Sequence, residues 1–215
     1  MASPRLGDEA MVKRGLRYLR GRPRAATLFR FGAKSDVINL WTDSDWANCR
    51  STRRSHSGGV LRLGSHPVKH WCRIQSRVAI SSGEAEFLSA YAGYPEMIQL
   101  VHVLRELLGE DFGKVHHCVD ASACASLLPR RGTGSVKHLE TKELWTQEVV
   151  QRYRVSVRKV GRVKNFSDVV ASPSAPAEFD SHLTAMDLIF LGSNEQEDLA
   201  QIWAHLRSYP RPRES

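Results

Sequence analysis

The sequence VINLWTDSDWANCRSTRRSHSGGVLRLGSHPVKHWCRIQ, residues 37–75, contains three short β-strand candidates in succession. They cover residues 37–43, 57–64 and 68–75, and each carries a run of apolar side chains. Glycine and proline at the two ends of residues 64–67 indicate a turn between the last two candidates. Because consecutive short strands tend to pair with their neighbours, this stretch predicts an antiparallel meander.

Helices separate the strand candidates that follow the meander. Residues 81–109 form one long helical stretch, and residues 136–153 form a clear amphipathic helix. The strand candidates at 114–120 and 155–160 lie between and after these helices. Strands separated by helices can join by crossover connections, so the sequence predicts an α/β domain with a mixed sheet and helices on its faces.

Local signals refine the helix predictions. Ser81 and Glu84 have the spacing of a capping box, which marks a helix start. Pro95 is expected to kink the long helix or to restart it, because proline is poorly tolerated inside a helix. Residues 182–191 and 197–208 are predicted as helices near the C-terminus.

Composition favours a soluble, intracellular protein of the cytoplasm or nucleus with a polyanionic partner. The net charge is +8, and residues 1–36 supply much of it with nine Lys and Arg against three acids, 9 − 3 = +6. The chain has no apolar run long enough to cross a membrane and no signal-peptide core, so no membrane partner is expected. Its four cysteines match no zinc or disulfide pattern, and reduced thiols are predicted.

Four acidic residues stand at positions where elements of an α/β sheet begin or end. They are Asp43 and Asp120 at strand ends, and Glu86 and Asp168 in the first turns of helices. If such ends converge at one sheet edge, the carboxylates repel one another unless cations share the space. Mg²⁺ or Mn²⁺ suits such oxygen ligands. The alternative is four unrelated acids, because acids at helix starts also complement the helix dipole.

Five sequence blocks, in a fixed order, carry a family resemblance. This part of the chain resembles the ribonuclease H domain of copia-type LTR retrotransposon Pol polyproteins. The residues before it resemble the helix that ends the reverse-transcriptase region of those polyproteins. The five blocks and the preceding helix are TDSDWANCRSTRRSHSGG (42–59), AISSGEAEFLSAYAG (79–93), HHCVDASACA (116–125), VKHLETKELWTQE (136–148), VKNFSDVVA (163–171) and MVKRGLRYLRGRP (11–23).

The resemblance implies a fold and a division of the chain. The fold is ribonuclease H-like, an α/β architecture with a five-stranded mixed sheet and flanking helices. Residues 1–36 are then a basic N-terminal extension that resembles the end of a reverse-transcriptase region. Residues 37–172 are the ribonuclease H-like domain, and residues 173–215 are a linker with a helical C-terminal tail.

The resemblance also implies an activity. The domain is expected to hydrolyse the RNA strand of RNA–DNA hybrids with two Mg²⁺ ions, or with Mn²⁺. Asp43, Glu86, Asp120 and Asp168 match the catalytic metal ligands of the family. A reverse-transcriptase domain is an expected partner of the basic extension.

Nucleic-acid contacts are expected from four further side chains. Arg53 and Arg54 lie in the loop after the first strand and would contact phosphates, unless they belong only to a solvated loop. Ser122 could contact a 2′-hydroxyl, with a role in the local turn or helix cap as the alternative. His138 matches a histidine of the fourth block and would contact substrate or cap the following helix.

Departures from the family pattern leave two other functions open. The last block reads SDVVAS instead of ADILTK, and residues 160–166 contain no histidine before the final aspartate, unlike cellular and retroviral ribonucleases H. A catalytically decayed or co-opted module would bind nucleic acid without cleaving it. A resolvase or integrase of the same fold superfamily would share the acids and prefer DNA.

Overall fold

A computed structural model describes residues 6–22, 24–29, 35–109, 113–133, 139–172, 175–191 and 195–207. The chain divides into two compact units, one formed by Lys34–His182 and the other by Met1–Ala33 together with Leu183–Ser215. In chain order the helices and strands are α1 (Leu6–Gly21), β1 (Arg24–Thr27), β2 (Val37–Asp45), β3 (His56–Leu63), β4 (His66–Ile74), α2 (Ser82–Leu108), β5 (Lys114–Val119), α3 (Ser122–Leu127), α4 (Trp145–Arg152), β6 (Ser156–Lys159), α5 (Asp168–Ala171), α6 (Pro176–Ala185), β7 (Leu188–Leu191) and α7 (Glu195–Arg207).

The larger unit contains a five-stranded sheet in the order β4-β3-β2-β5-β6. The pairs β4/β3 and β3/β2 are antiparallel, whereas β2/β5 and β5/β6 are parallel. This mixed sheet with flanking helices confirms the predicted ribonuclease H-like α/β architecture. The meander arises because β2, β3 and β4 are joined by short loops, and the parallel strands arise because helices separate them.

Two neighbouring glycines of β3 show how helices cover the sheet. Successive strand residues point to opposite faces. A Cβ on Gly59 would lie 2.0 Å from the ring of Trp71, which belongs to the core beneath α2. A Cβ on Gly58 would instead lie 2.7 Å from the backbone nitrogen of Ala171 in α5. Helices α2 and α5 therefore cover opposite faces of the sheet.

The main core lies between the sheet and α2. Many of its fully buried side chains are apolar residues of β2 and β3 opposite large residues of α2, and their burial stabilises this unit. Those with almost no exposed surface include Ile38, Leu40, Leu61, Phe87, Tyr94, Met97 and Val101.

A buried polar chain crosses this core. The Thr42 hydroxyl lies 2.8 Å from Nε2 of His117, and the Tyr94 hydroxyl lies 2.9 Å from Nδ1 of the same ring. Burial lowers the pKa of His117 to about 3, so the imidazole is neutral at physiological pH. Both ring nitrogens have partners, which removes the cost of burying them.

Helix α2 runs without a break from Ser82 to Leu108, so it does not restart at Pro95. The Ser81 hydroxyl accepts from the Glu84 N–H at 3.2 Å, as the capping-box spacing predicted. Tyr94 and Met97 on either side of the proline are fully buried. Packing of this segment therefore outweighs the hydrogen bond that the proline lacks.

The second unit contains a two-stranded antiparallel sheet of β1 and β7, in which Arg24 pairs with Leu191. The prediction of one helix over residues 182–191 was therefore wrong in its second half. Four apolar residues, LIFL, are too short a run for periodicity to separate strand from helix. Across the described residues, no helix combines the length and the apolar character needed to span a bilayer.

Candidate metal centre

Strand register brings two of the four acids to one edge of the sheet. Trp41 of β2 pairs with Cys118 of β5 in parallel register. Asp43 and Asp120 each lie two residues further along, so they leave the sheet at the same edge. Asp120 directly follows the last residue of β5.

Helix α2 brings a third acid to this edge. Glu86 lies in its first turns, and one oxygen from each of Asp43, Glu86 and Asp120 lies within 4.8 Å of the others. The Ser89 hydroxyl, on the same helix, donates to the backbone carbonyl of Asp43 at 2.7 Å. This bond fixes α2 against β2 where the carboxylates meet.

The clustered carboxylates strongly perturb two pKa values. Burial raises the pKa of Asp43 to about 7, with further contributions from the charges of Asp120 and Asp168. Burial also raises the pKa of Glu86 to about 9, and the charges of Asp43 and Asp120 raise it further. Ionised forms of these groups are therefore unfavourable without a counter-charge.

Glu86 has one satisfied and one unsatisfied oxygen. Its Oε1 accepts from the backbone N–H of Ser44 at 3.2 Å and from the Ser44 hydroxyl at 3.1 Å. Its Oε2 is buried and has no hydrogen-bond partner in the part of the chain that the structure describes. A buried, unpartnered carboxylate oxygen beside two further carboxylates fits a cation ligand.

Asp168, the fourth acid, begins α5 and is only 3% exposed. It interacts with Asp43 both through its charge and through a side-chain hydrogen bond, and each raises the pKa of Asp43. Arg162 Nη2 lies 3.5 Å from Asp168 Oδ1, and the Arg162 side chain is 70% exposed. The structure thus places Asp168 beside Asp43, with the solvent-exposed cation Arg162 next to it.

Close approach of α5 to β3 holds Asp168 in place. Gly58 of β3 is the register partner of Asp43, and Ala171 of α5 lies over it. No side chain larger than hydrogen fits between these backbones, because a Cβ on Gly58 would come within 2.7 Å of the Ala171 nitrogen.

Gly58→Ala is expected to push α5 away from the sheet and to displace Asp168. Overpacking of this kind costs about 1–3 kcal/mol in the free energy of unfolding. Misplacing a catalytic group by about 1 Å lowers turnover by roughly 100-fold. Turnover on a hybrid and urea unfolding measure the two effects. Gly161→Ala is the control, since nothing lies within 4 Å of its Cβ position, and equal turnover in the two variants would contradict this role of Gly58.

The structure describes three of the four side chains predicted to contact nucleic acid. Arg53 is exposed and Arg54 is half-buried, in the loop between β2 and β3. No side-chain partner of either guanidinium is found among the residues described here. Ser122 begins α3, and its hydroxyl accepts from Lys159 Nζ at 2.5 Å. His138 lies outside the described residues.

Sequence analysis missed two contributors to this edge. Ser44, which holds Glu86, lies between two acids in the DSD triplet and carries no signal of its own. Arg162 follows Gly161 in a stretch where the family pattern led us to look only for histidine. Asp45, the other acid of the DSD triplet, pairs with His56 instead. Its Oδ2 lies 2.8 Å from His56 Nδ1.

No protein-family model matches the chain. The chain is 28% identical over 159 residues to the retrovirus-related Pol polyprotein from transposon TNT 1-94 of Nicotiana tabacum. The aligned region covers 74% of this chain and 12% of that polyprotein. The chain is 25% identical over 171 residues to the corresponding polyprotein from transposon RE2 of Arabidopsis thaliana, covering 79% of this chain and 12% of that one. Among solved structures, the N-terminal RNase H domain of a Mycobacterium tuberculosis protein is 14% identical, with a TM-score of 0.42 over 69% of this chain and 97% of that one.

Proposed function

Since the chain is related to the Pol polyproteins of copia-type transposons and carries a ribonuclease H-like domain, we propose that this domain hydrolyses the RNA strand of RNA–DNA hybrids. The observation that carries the proposal is the meeting of Asp43, Glu86 and Asp120 within 4.8 Å at one sheet edge. The chain spans about an eighth of the length of these relatives.

The four acids form an oxygen-only donor set of the kind that Mg²⁺ prefers and that Mn²⁺ also accepts. Asp43, Glu86 and Asp120 would hold one ion, and Asp168 would help to hold a second. When bound, such a pair of ions activates a water molecule and stabilises the leaving oxygen in phosphodiester hydrolysis.

The remaining residues orient these carboxylates and the substrate. Ser44 holds Oε1 of Glu86, which keeps the other oxygen of that carboxylate directed away from Ser44. Arg162, exposed beside Asp168, can contact a phosphate at the rim of the site. Arg53 and Arg54 would contact phosphates further along the duplex, and Ser122 and His138 would contact the hybrid.

A hybrid cleavage assay tests the proposal. Purified protein is incubated with a duplex that carries labelled RNA on a DNA strand, with Mg²⁺, with Mn²⁺ or with Ca²⁺. We expect cleavage of the RNA with Mg²⁺ and Mn²⁺ and none with Ca²⁺, because the larger ion accepts looser coordination. Matched duplex DNA and duplex RNA serve as control substrates.

Each other outcome of that assay contradicts the proposal in a different way. Preferential cutting of duplex DNA would identify a resolvase or integrase activity. Binding of the hybrid without any cleavage would identify a nucleic-acid-binding module, which the altered last block and the absence of a histidine before Asp168 favour. Absence of both binding and cleavage would remove the hybrid as a ligand.

A further inference from the structure

A second group of potential ligands shares Asp168 with the four-acid edge. Glu178 and His182 lie one turn apart on α6, and one ligand atom of each lies within 4.8 Å of the other and of an Asp168 oxygen. All three residues belong to the Lys34–His182 unit. Neither the family blocks nor the sequence spacing singled out Glu178 or His182.

His182 is buried without a polar partner. Its side chain is 4% exposed, and the residues that the structure describes supply it with neither a hydrogen bond nor an ion pair. Its ring packs edge-on against that of Phe166, with centroids 6.4 Å apart. A ligand at this ring would give one of its nitrogens a polar partner.

An ordinary helix-surface pair does not account for the arrangement. Glutamate and histidine four residues apart commonly form a hydrogen bond or ion pair on an exposed helix face. Here only Glu178 is exposed, and no such bond joins it to His182. The three side chains instead surround a common point without satisfying one another.

We propose that Asp168, Glu178 and His182 bind one divalent transition-metal ion, with Mn²⁺ preferred over Mg²⁺. Ligands about 2.1 Å from one ion lie roughly 3–4.2 Å apart, so spacings of 4.8 Å or less close with small side-chain movements. An imidazole donor beside two carboxylates shifts preference from Mg²⁺ towards transition ions. The inference rests on the proposed function, since the bound ion is the one assigned there to Asp168.

Arg162 places a positive charge beside the Asp168 carboxylate of this site. Its guanidinium lies 3.5 Å from Asp168 and is largely exposed, so it can move aside at little cost when an ion binds. On metal binding, the Asp168 carboxylate would therefore lose its contact with Arg162 and gain one with the ion. Release of Arg162 into solvent would make it available to a substrate phosphate.

Titration of the full chain with Mn²⁺, followed by the loss of the free-ion electron paramagnetic resonance signal, tests the site. We expect two bound ions for the unmodified protein. Glu178→Gln and His182→Gln should each weaken one of them by at least about tenfold. Glu86→Gln should weaken the other. Glu148→Gln, an exposed glutamate on α4, is the matched control and should leave both unchanged.

A spectroscopic signature separates coordination from a structural effect of these substitutions. Nitrogen coordination gives a ¹⁴N modulation in the electron spin echo of bound Mn²⁺, which should disappear in His182→Gln. Because Glu178 is exposed, Glu178→Gln is expected to fold normally, and circular dichroism checks both variants.

Wild-type Mn²⁺ binding in Glu178→Gln, or no ¹⁴N modulation in the unmodified protein, would overturn the site. Failure of the proposed function looks different. In that case Glu86→Gln would leave Mn²⁺ binding unchanged, and hybrid would not be cleaved, whatever Glu178→Gln does.

Discussion

Asp43→Asn is expected to abolish hybrid cleavage and, in the absence of divalent cations, to raise the melting temperature. Asp43 lies at the centre of the cluster, next to Glu86 and Asp120 and in contact with Asp168. Its loss removes one of the three carboxylates proposed to hold the first ion, so turnover should fall by at least about 1000-fold. The same change removes a buried charge that burial and the neighbouring acids Asp120 and Asp168 disfavour.

The pH dependence of the free energy of unfolding explains why Asp43→Asn is expected to raise the melting temperature. The pKa of Asp43 rises from 3.8 to about 7 on folding, and that of Glu86 from 4.5 to about 9. Between these limits the folded chain binds more protons than the unfolded chain, so the free energy of unfolding falls as pH rises from about 4 to about 9. Asp43→Asn should flatten this decline, because it also removes a charge that raises the pKa of Glu86.

Thermal melts with and without Mg²⁺ measure the effect. At pH 8 without cations, Asp43→Asn should gain on the order of 2 kcal/mol, or roughly 4–8 °C for a domain of this size. Mg²⁺ should stabilise the unmodified protein more than the variant. Asp36→Asn is the control: this exposed residue precedes β2 and pairs with Lys114 at 2.9 Å, so it should change neither cleavage nor the pH dependence to this extent. Retained cleavage or a lowered melting temperature in Asp43→Asn would refute the assignment.

Arg77→Ala should destabilise the larger unit by about 3–5 kcal/mol, which is a large part of the roughly 5–15 kcal/mol that keeps a domain folded. Arg77 donates to Glu84 through Nη1, and to Glu143 through Nη2 at 2.8 Å and Nε at 3.2 Å. Glu84 is fully buried and Glu143 is 2% exposed. Removing the arginine would leave two buried carboxylates without their cation.

Urea unfolding of three variants separates this loss from a general charge effect. Lys142→Ala removes a nearby cation whose partner, Glu140, is half exposed, and it should leave the urea midpoint nearly unchanged. Adding Glu84→Gln to Arg77→Ala should recover part of the stability, since one of the stranded charges is gone. Equal destabilisation by Arg77→Ala and Lys142→Ala would show that the buried network contributes little.

The sheet was predictable because its signals are local. Strand candidates without intervening helices indicated the antiparallel pairs, and the helix between 114–120 and 155–160 indicated a crossover. The convergence of Asp43 and Asp120 follows from the same pattern, since both end neighbouring parallel strands. Their burial, and the pKa values that result from it, do not follow from spacing, because they depend on how α2 packs over the edge.

Long-range contacts between polar residues were not predictable. Arg77 meets Glu143 across 66 positions of sequence, and no periodicity marks either residue. His182 and Glu178 have helical spacing, but that spacing alone is equally consistent with an exposed face. The family pattern directed attention to histidines before Asp168, whereas the structure places one near it from a later helix.

The pairing of β1 with β7 also sets an order of events during translation. Thr27 and Leu188 are register partners 188 − 27 = 161 residues apart, and the whole Lys34–His182 unit is synthesised between them. At about 5–20 residues per second, β1 waits roughly 8–32 s for its partner to be made. The Lys34–His182 unit can therefore complete its own core on the ribosome while β1 is still an unpaired strand edge, open to chaperones or to the same strand of another nascent chain.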